Sequence, residues 1–112
     1  MSAPRLTIPL VLESPQRVAD GMGGYRMEWR ALGILYARMR AGSGTERQGE
    51  VGAESVVQWR ITVRGARDCD PRRPRPGQRF RMGERVFRIE AVAEADPAGL
   101  WLDCLAREER LS

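Results

Sequence analysis

The stretch SVVQWRITVRG, residues 55–65, alternates apolar and polar side chains more regularly than any other part of the chain. Such a period of two is typical of a β-strand with one buried face. The apolar face carries Val57, Trp59, Ile61 and Val63, and the opposite face is mainly polar. We therefore predict a strand here that contributes one row of side chains to a hydrophobic core.

The residues that precede this stretch follow the same period. YRMEWRAL (25–32) and LYARMRA (35–41) both alternate, which predicts one long strand. The lone Gly33 between them indicates a bulge that bends this strand. Nearer the N-terminus, TIPLVLES and QRVAD predict two edge strands, because Pro9 is tolerated only at the edge of a sheet.

The C-terminal half repeats the pattern in shorter pieces. QRFRMGERVFRIEAVAE (78–94) predicts two strands around a tight turn at Gly83 and Glu84. ADPAG (95–99) supplies Asp, Pro and Gly in the order that a turn requires, and LWLDCLA (100–106) predicts one more strand. The tail LAREERLS is expected to form a helical turn.

These elements predict an all-β fold, a small antiparallel β-barrel or sandwich of six or seven strands with one long flexible loop. A barrel is the more economical choice, because closure removes the strand edges that so short a chain has little material to cover. The length of 112 residues indicates one domain, residues 1–112. Its core is expected to contain Val57, Trp59, Ile61, Val63, Phe87, Ile89, Leu100, Leu102 and the small apolar Cys104.

The composition argues against an enzyme. The chain contains no His, and all 19 basic residues are Arg, so the commonest general base, the commonest zinc ligand and every lysine-based mechanism are absent. Cys69 and Cys104 lie far apart with no CxxC spacing. We expect no catalytic residues, no metal and no cofactor. The chain also has no apolar run of about 20 residues and no signal-peptide pattern, which favours a cytoplasmic product without a membrane partner.

The net charge of +4 and the isoelectric point near 10.0 raise the question of nucleic acid. The segment PRRPRPGQRFR, residues 71–81, concentrates arginines in a basic strip, defined as Arg72, Arg73, Arg75, Arg79 and Arg81. An Arg-rich, Lys-free surface is also what a GC-rich genome encodes for any solvated face. The strip is therefore interpreted either as an interface or as a surface for non-specific contact with DNA.

The order of the short motifs carries more information than any one of them. QRV is followed by DGMGGYRMEW, ILYARMR, a polar loop, WRITVRG, a link rich in Pro and Arg, GERVFRIEAV and GLWLDCLAREE. From Gln16 to Glu109 this order resembles the phage head-tail joining family. Its members are the small head-closure or stopper proteins of long-tailed phages and of phage-like gene transfer agents.

The resemblance implies a β-barrel subunit of a homo-oligomeric ring, a hexamer or a dodecamer, in the neck of a virion or phage-like particle assembled in the cytoplasm of a bacterial host. A portal or adaptor protein would lie on the head side of this ring. A tail terminator or tail tube protein would lie on the other side. Double-stranded DNA would pass through the centre without sequence-specific contacts.

The polar segment RAGSGTERQGEVGAES, residues 40–55, contains the predicted loop 41–54, with four glycines and more Glu than Arg. Folded back on itself as a hairpin-like finger, it would reach about 20 Å from the barrel. The resemblance implies that this loop points into the ring channel and closes it. The candidate channel residues are Arg40, Ser43, Thr45, Glu46, Arg47, Gln48, Glu50 and Glu54.

A second function class fits the same fold prediction. A free-standing small barrel could bind single-stranded nucleic acid by stacking bases on Trp29 and Trp59 beside the basic strip. The direction of the aromatic rings discriminates between the two functions. Trp59 is in phase with Ile61 and Val63, which favours a core position over a stacking platform.

Overall fold

The fold is a closed antiparallel β-barrel of six strands, described by a computed structural model for residues 3–49 and 52–109. Around the barrel the strand order is β1-β2-β3-β6-β5-β4. The strands are β1 Ile8–Ala19, β2 Tyr25–Gly49, β3 Gly52–Arg64, β4 Arg79–Met82, β5 Arg85–Glu94 and β6 Trp101–Glu109. The predicted all-β barrel is confirmed. Within these ranges no helix is long and apolar enough to cross a membrane.

The predicted bulge and the predicted tight turn are both present. Leu12 of β1 lies opposite Gly33 of β2, whereas the next residue, Glu13, lies opposite Ala31, so Leu32 is the extra residue of a bulge. The φ of Gly33 is +152°, a value that side chains disfavour. At the other turn Met82 pairs with Arg85, and Gly83 has the positive φ that a two-residue hairpin requires.

The core is built from both halves of the chain. The predicted Ile61, Val63, Phe87, Ile89, Leu102 and Cys104 are buried, and they are joined by residues that the sequence analysis did not place in the core: Leu10, Leu12, Ala37, Phe80 and Ala106. Trp59 is only partly buried and packs against this cluster. Two core predictions are wrong, because Val57 is 40% exposed and Leu100 is 56% exposed.

The two errors have a positional cause. Val57 pairs with Gly44, beyond Gln58, which is the first residue of β3 that pairs with β6. At Val57, β3 therefore extends beyond the barrel. The side of the strand that carries its apolar residues no longer faces the core. Leu100 precedes β6 in the turn, where its carbonyl accepts a hydrogen bond from the Gly65 amide.

The N-terminal segment forms one strand and not two edge strands. β1 pairs with β2 along its whole length and with β4 only at Val11–Glu13. Pro9 and Pro15 both lie outside these three residues, so neither has to donate a hydrogen bond to β4. The expected helical turn is also wrong for Ala106–Glu109, which continue β6 and pair with β5. The remainder of that tail lies outside the described residues.

β2 is longer than the barrel that it helps to form. A straight strand of 25 residues would span roughly 80 Å, whereas the longest dimension of the molecule is 54 Å, so β2 is bent. It pairs with β1 as far as Ala37 and with β3 from Ala37 onward. Two hairpins result, one from β1 and β2 and one from β2 and β3, and each extends past the six-stranded part of the sheet.

Candidate functional site

The segment predicted as a loop, 41–54, is a continuation of two strands. The β2–β3 ladder is irregular between Ala41 and Gly44, then resumes from the Gly44–Val57 pair to the Gly49–Gly52 pair. An irregular loop is therefore the wrong description, although the expected hairpin-like fold-back agrees with this register. The physical reason is that paired strands satisfy each other's backbone N–H and C=O groups whether or not their side chains are apolar. The flexibility of the segment stays a prediction.

We call the paired arms 44–49 and 52–57 the β2–β3 finger. β3 pairs with β6 only from Gln58 onward, so the finger has no third strand beside it in the described part of the chain. Six residues in each arm correspond to a reach of about 20 Å beyond the barrel. The fold therefore presents a narrow two-stranded projection on a rigid base.

The candidate channel residues are distributed over this finger and its base. Arg40 is exposed and lies opposite Arg60, in the regular part of the ladder that ends at Ala41. Ser43 lies in the irregular part that follows, between Ala41 and Gly44. Arg47 lies opposite Glu54 in the finger. Thr45, Glu46 and Gln48 belong to the β2 arm, whereas Glu50 lies outside the described residues.

A polar cluster fixes the base of the finger. Trp59 lies opposite Ala41, and its indole N–H donates a hydrogen bond to Glu108 Oε1 at 3.2 Å. Arg85 binds the same carboxylate through two hydrogen bonds of 2.8 and 2.9 Å. The Trp59 ring meets Phe87 edge-to-face, with 5.8 Å between ring centroids. The hydrogen bond from Arg85 lowers the pKa of Glu108, and Arg85 itself has a raised pKa for the same reason.

This base cluster connects the finger to the two strands that follow β3 around the barrel. Trp59 belongs to β3, Glu108 to β6 and Arg85 to β5. A bidentate Arg–carboxylate pair has a defined direction as well as a favourable energy. The cluster therefore orients the strand at the point where it leaves the barrel.

The basic strip divides into two groups with different surroundings. In the link between β3 and β4, Arg73 Nη1 donates to the Ala66 carbonyl at 2.6 Å, and its Nε lies 3.4 Å from Asp68. Arg75 donates to the carbonyl of Asp68. Arg72 is exposed. The link thus uses two of its four arginines to hold its own backbone.

The second group lies on the outer surface of β4. Arg79 and Arg81 flank the buried Phe80, so they point away from the core. Arg79 Nε lies 2.7 Å from Glu13 Oε1, and Arg81 Nε lies 3.6 Å from Glu13 Oε2. Arg79 also stacks on Trp29 at 4.1 Å, and Arg88 approaches the same ring at 5.3 Å. The strip is therefore not one continuous row of free cations.

Two acidic residues of these clusters are absent from the sequence prediction. Glu13 is 4% exposed, and Glu108 is the shared acceptor at the base of the finger. The only sequence signal for Glu13 is a carboxylate at the end of the apolar run IPLVLE. The register of β1 with β4, which brings Arg79 to it, joins residues 66 positions apart and is not readable from local patterns.

The two cysteines are free thiols in different environments. Cys69 is exposed in the link, whereas burial in the core raises the pKa of Cys104 to about 12. A thiol with so high a pKa is a poor nucleophile and a poor metal ligand at neutral pH. Cys104 therefore acts as a small core residue, as predicted.

An open groove of about 500 Å³ lies where β2 diverges from the end of β3. It is lined by Leu6, Ile34, Leu35, Tyr36, Arg64, Gly65, Ala66, Asp70 and Arg72. Its walls are apolar side chains with charged groups at the rim. It contains no pair of groups placed for acid–base or nucleophilic chemistry, which suits a contact surface better than an active site.

Comparison with known proteins gives a consistent result. The family described as phage head completion protein matches residues 1–109. A chain from a solved structure described as the virion of a native gene transfer agent (GTA) particle is 53% identical, with a TM-score of 0.83. The similarity covers 98% of this chain and 100% of that one. No curated protein matches.

Proposed function

This chain belongs to the phage head completion protein family, and we propose that it is a connector that closes the filled head at the junction with the tail. In this proposal copies of the chain form a ring, hexameric or dodecameric, in the neck of the particle. The ring binds a portal or adaptor protein on its head side and a tail terminator or tail tube protein on the other. It retains packaged DNA, later passes it on, and has no catalytic activity.

The observation that carries the proposal is the β2–β3 finger. Its two arms extend about 20 Å from the barrel with no third strand beside them. In a ring, fingers of this length from several copies would converge and narrow a central channel. A projection of this kind contributes nothing to the core of its own subunit, which supports a role in contacts outside it.

The charge of the finger suits passage of DNA. The sequence 44–57, which contains both arms, has Glu46, Glu50 and Glu54 against Arg47, so this segment carries net negative charge on a protein with a net charge of +4. A negative finger repels the phosphate backbone weakly and does not hold it. Such a finger blocks DNA by occupying space in the channel. The DNA is released when the finger moves aside.

The alternative function as a single-stranded nucleic-acid module has less support. Such modules leave aromatic faces free for bases to stack on. The Trp59 ring is packed against Phe87 and Arg85, and the Trp29 ring is covered by Arg79 and Arg88. Neither tryptophan offers the open platform that this function requires.

Shortening the finger tests the proposal. The register suggests a symmetric truncation in which residues 46–55 are replaced by Asn-Gly, so that the Thr45–Val56 pair is closed by a two-residue turn. The barrel should remain folded, because no core residue is removed. Particles that carry this variant should have filled heads that lose DNA before tails attach, measured as DNA accessible to nuclease.

A full-length variant provides the matched control. Replacing Glu46, Glu50 and Glu54 by Gln keeps the span of the finger and removes its negative charge, so heads should still retain their DNA. Electron microscopy of the same particles should show the chain as a ring with its fingers toward the channel. A finger on the outer surface of the ring would contradict the proposal that the finger closes the channel. The absence of a ring would contradict the proposed connector.

A further inference from the structure

One face of β2 carries large apolar side chains toward solvent. Tyr25, Met27, Ile34 and Tyr36, which we call the β2 outer face, are each between 59% and 64% exposed. They are four of the eight large hydrophobic side chains that are exposed among those described. Apolar exposure concentrated on one strand marks an interaction surface, in contrast to scattered single residues.

The strand register proves that these four residues share the outside of the barrel. Their partners on β1 are Ala19, Arg17, Val11 and Pro9, which all lie on the side of β1 opposite to the buried Leu12. The intervening Gly33 bulge keeps both halves of β2 in phase with that side. The β2 outer face therefore consists of two groups on the same side of the strand, Tyr25 with Met27 and Ile34 with Tyr36, which are separated by the covered ring of Trp29, by Ala31 and by the bulge.

β2 is also incomplete along one edge. It pairs with β3 only from Ala37 onward, so residues 25–36 have no strand on that side within the described chain. An open edge presents backbone donors and acceptors to another chain. The groove of about 500 Å³ runs beside this edge, and its rim carries Arg64 and Arg72, which form no ion pair with any described residue.

The wall of the barrel that lies opposite β2 carries small apolar side chains, which complement the large ones of the β2 outer face. In the strand order β1-β2-β3-β6-β5-β4, β5 lies directly across the barrel from β2. Its exposed outer side carries the small Ala91 and Ala93, and Leu105 of β6 lies beside Ala91. Glu90, the extra residue of the β5 bulge, lies beside this apolar area. It forms no ion pair within the described ranges, although it accepts a long hydrogen bond of 3.4 Å from Gln58. Glu94 pairs with the buried Leu102 and so lies on the other side of the strand.

We propose that the β2 outer face of one copy packs against the β5–β6 wall of the next copy, with Ala91, Ala93 and Leu105 at the centre of the contact. This inference rests on the proposed ring, because a ring of more than two copies needs two different, complementary surfaces on each subunit. Opposite walls of one barrel meet that requirement. Small residues admit the large Ile34 and Tyr36, while Arg64 and Arg72 face the negative charge of Glu90.

Cysteine cross-linking in assembled particles tests the contact. In a Cys69→Ser background the remaining native thiol, Cys104, is buried and unreactive. Tyr36→Cys is combined in the same chain with Ala91→Cys, Ala93→Cys or Leu105→Cys, and particles assembled under reducing conditions are then oxidised or treated with a short bismaleimide. Ile34→Cys replaces Tyr36→Cys in a parallel set, so that the test does not depend on one substitution.

The expected result is a ladder of covalent multimers that ends at the number of copies in the ring. The two cysteines of one chain lie on opposite walls of its barrel, so a bond between them must join two copies. Chains with one introduced cysteine should give no ladder. If microscopy shows a ring in the same particles and none of the pairs gives a ladder, the inference is overturned and the proposed function stands. Cross-linking of Tyr36→Cys to a different virion protein would overturn it as well. Absence of a ring would overturn both.

Discussion

Glu13 is a buried charged residue, and it is the only one among the residues whose burial the structure describes. Its side chain is 5% exposed, and Arg79, at 2.7 Å, is 15% exposed. Removing two charges from water is unfavourable unless they are well paired and hydrogen-bonded. Here Arg79 donates to the carboxylate, Arg81 approaches its second oxygen and Trp29 covers the guanidinium. The pair joins β1 to β4 at the three-residue contact that closes the barrel.

Replacing Glu13 by Gln should therefore be costly. The substitution leaves Arg79 largely buried without a counter-charge, and loss of one partner of a buried pair costs about 3 kcal/mol. Glu28→Gln is the matched control, because its pair with Arg26 has a similar distance of 2.9 Å but side chains that are 50% and 61% exposed. That change should alter the free energy of unfolding by less than about 1 kcal/mol. Urea denaturation of both variants measures the difference, and equal losses would contradict the assigned role of burial.

Glu108 gives the protein a pH-dependent contribution to stability. Its pKa in the folded state is lowered, first by the hydrogen bond from Arg85, so its stabilising effect is present above the unfolded-state pKa and is lost as the pH falls through the folded-state value. Glu108→Gln should lower the free energy of unfolding by about 1 kcal/mol at pH 7, and the difference should shrink in acid. Denaturation curves from pH 7 to pH 3 check this, with Glu109→Gln as the control because its contact with Arg88 is 3.7 Å. A difference that stays constant with pH would contradict it.

At the scale of the elements, the long strand β2 shows what sequence patterns can and cannot give. Alternation predicted one long strand bent at Gly33, and β2 is such a strand. The same alternation places Tyr25 and Met27 in one set with Leu35 and Met39. The bulge at Gly33 reverses the phase, so the first two point to solvent and the last two pack against the core. The sequence pattern therefore indicates a bulge at Gly33. It does not indicate which residues of the alternating set face solvent and which face the core.

The finger is a case in which the strand continues although the sequence pattern that predicts a strand has ended. The four glycines and the charges of residues 41–54 predicted a loop, because the apolar alternation ends before this segment. Backbone pairing continues nevertheless, since the preceding ladder holds the two arms in register. The sequence could indicate the position of the projection and the arginines of the basic strip. It could not indicate Glu13 as the partner of Arg79, or Glu108 as the partner of Arg85, because those contacts depend on the register between strands distant in sequence.

At the scale of the whole molecule, the positive charge is less available than its total suggests. Of the five arginines of the basic strip, Arg73, Arg75, Arg79 and Arg81 are engaged within the chain, and Arg72 is exposed. Most of the strip therefore already has partners within the chain, which leaves less of it free to bind a phosphate backbone.

We therefore expect the purified chain to bind DNA weakly and without sequence preference. The dissociation constant at physiological salt should lie in the range of about 10⁻⁴ to 10⁻⁶ M that is typical of non-specific binding, and affinity should fall steeply as salt rises. Fluorescence anisotropy with two unrelated duplexes and one single-stranded oligonucleotide measures this.

Two Arg→Gln variants locate the binding surface. Arg72→Gln should weaken binding more than Arg79→Gln does, because the Arg79 guanidinium is already held by Glu13 and Trp29. Both substitutions remove the same charge, but Arg79→Gln also leaves the buried Glu13 without its nearest partner. Urea denaturation therefore first establishes that both variants are folded, and the difference in affinity then reports availability and not total charge. A clear preference for the single strand, abolished by Trp29→Ala, would instead mean that the Arg79 stack opens to admit bases, and the small nucleic-acid-binding barrel would then be the better description of this molecule.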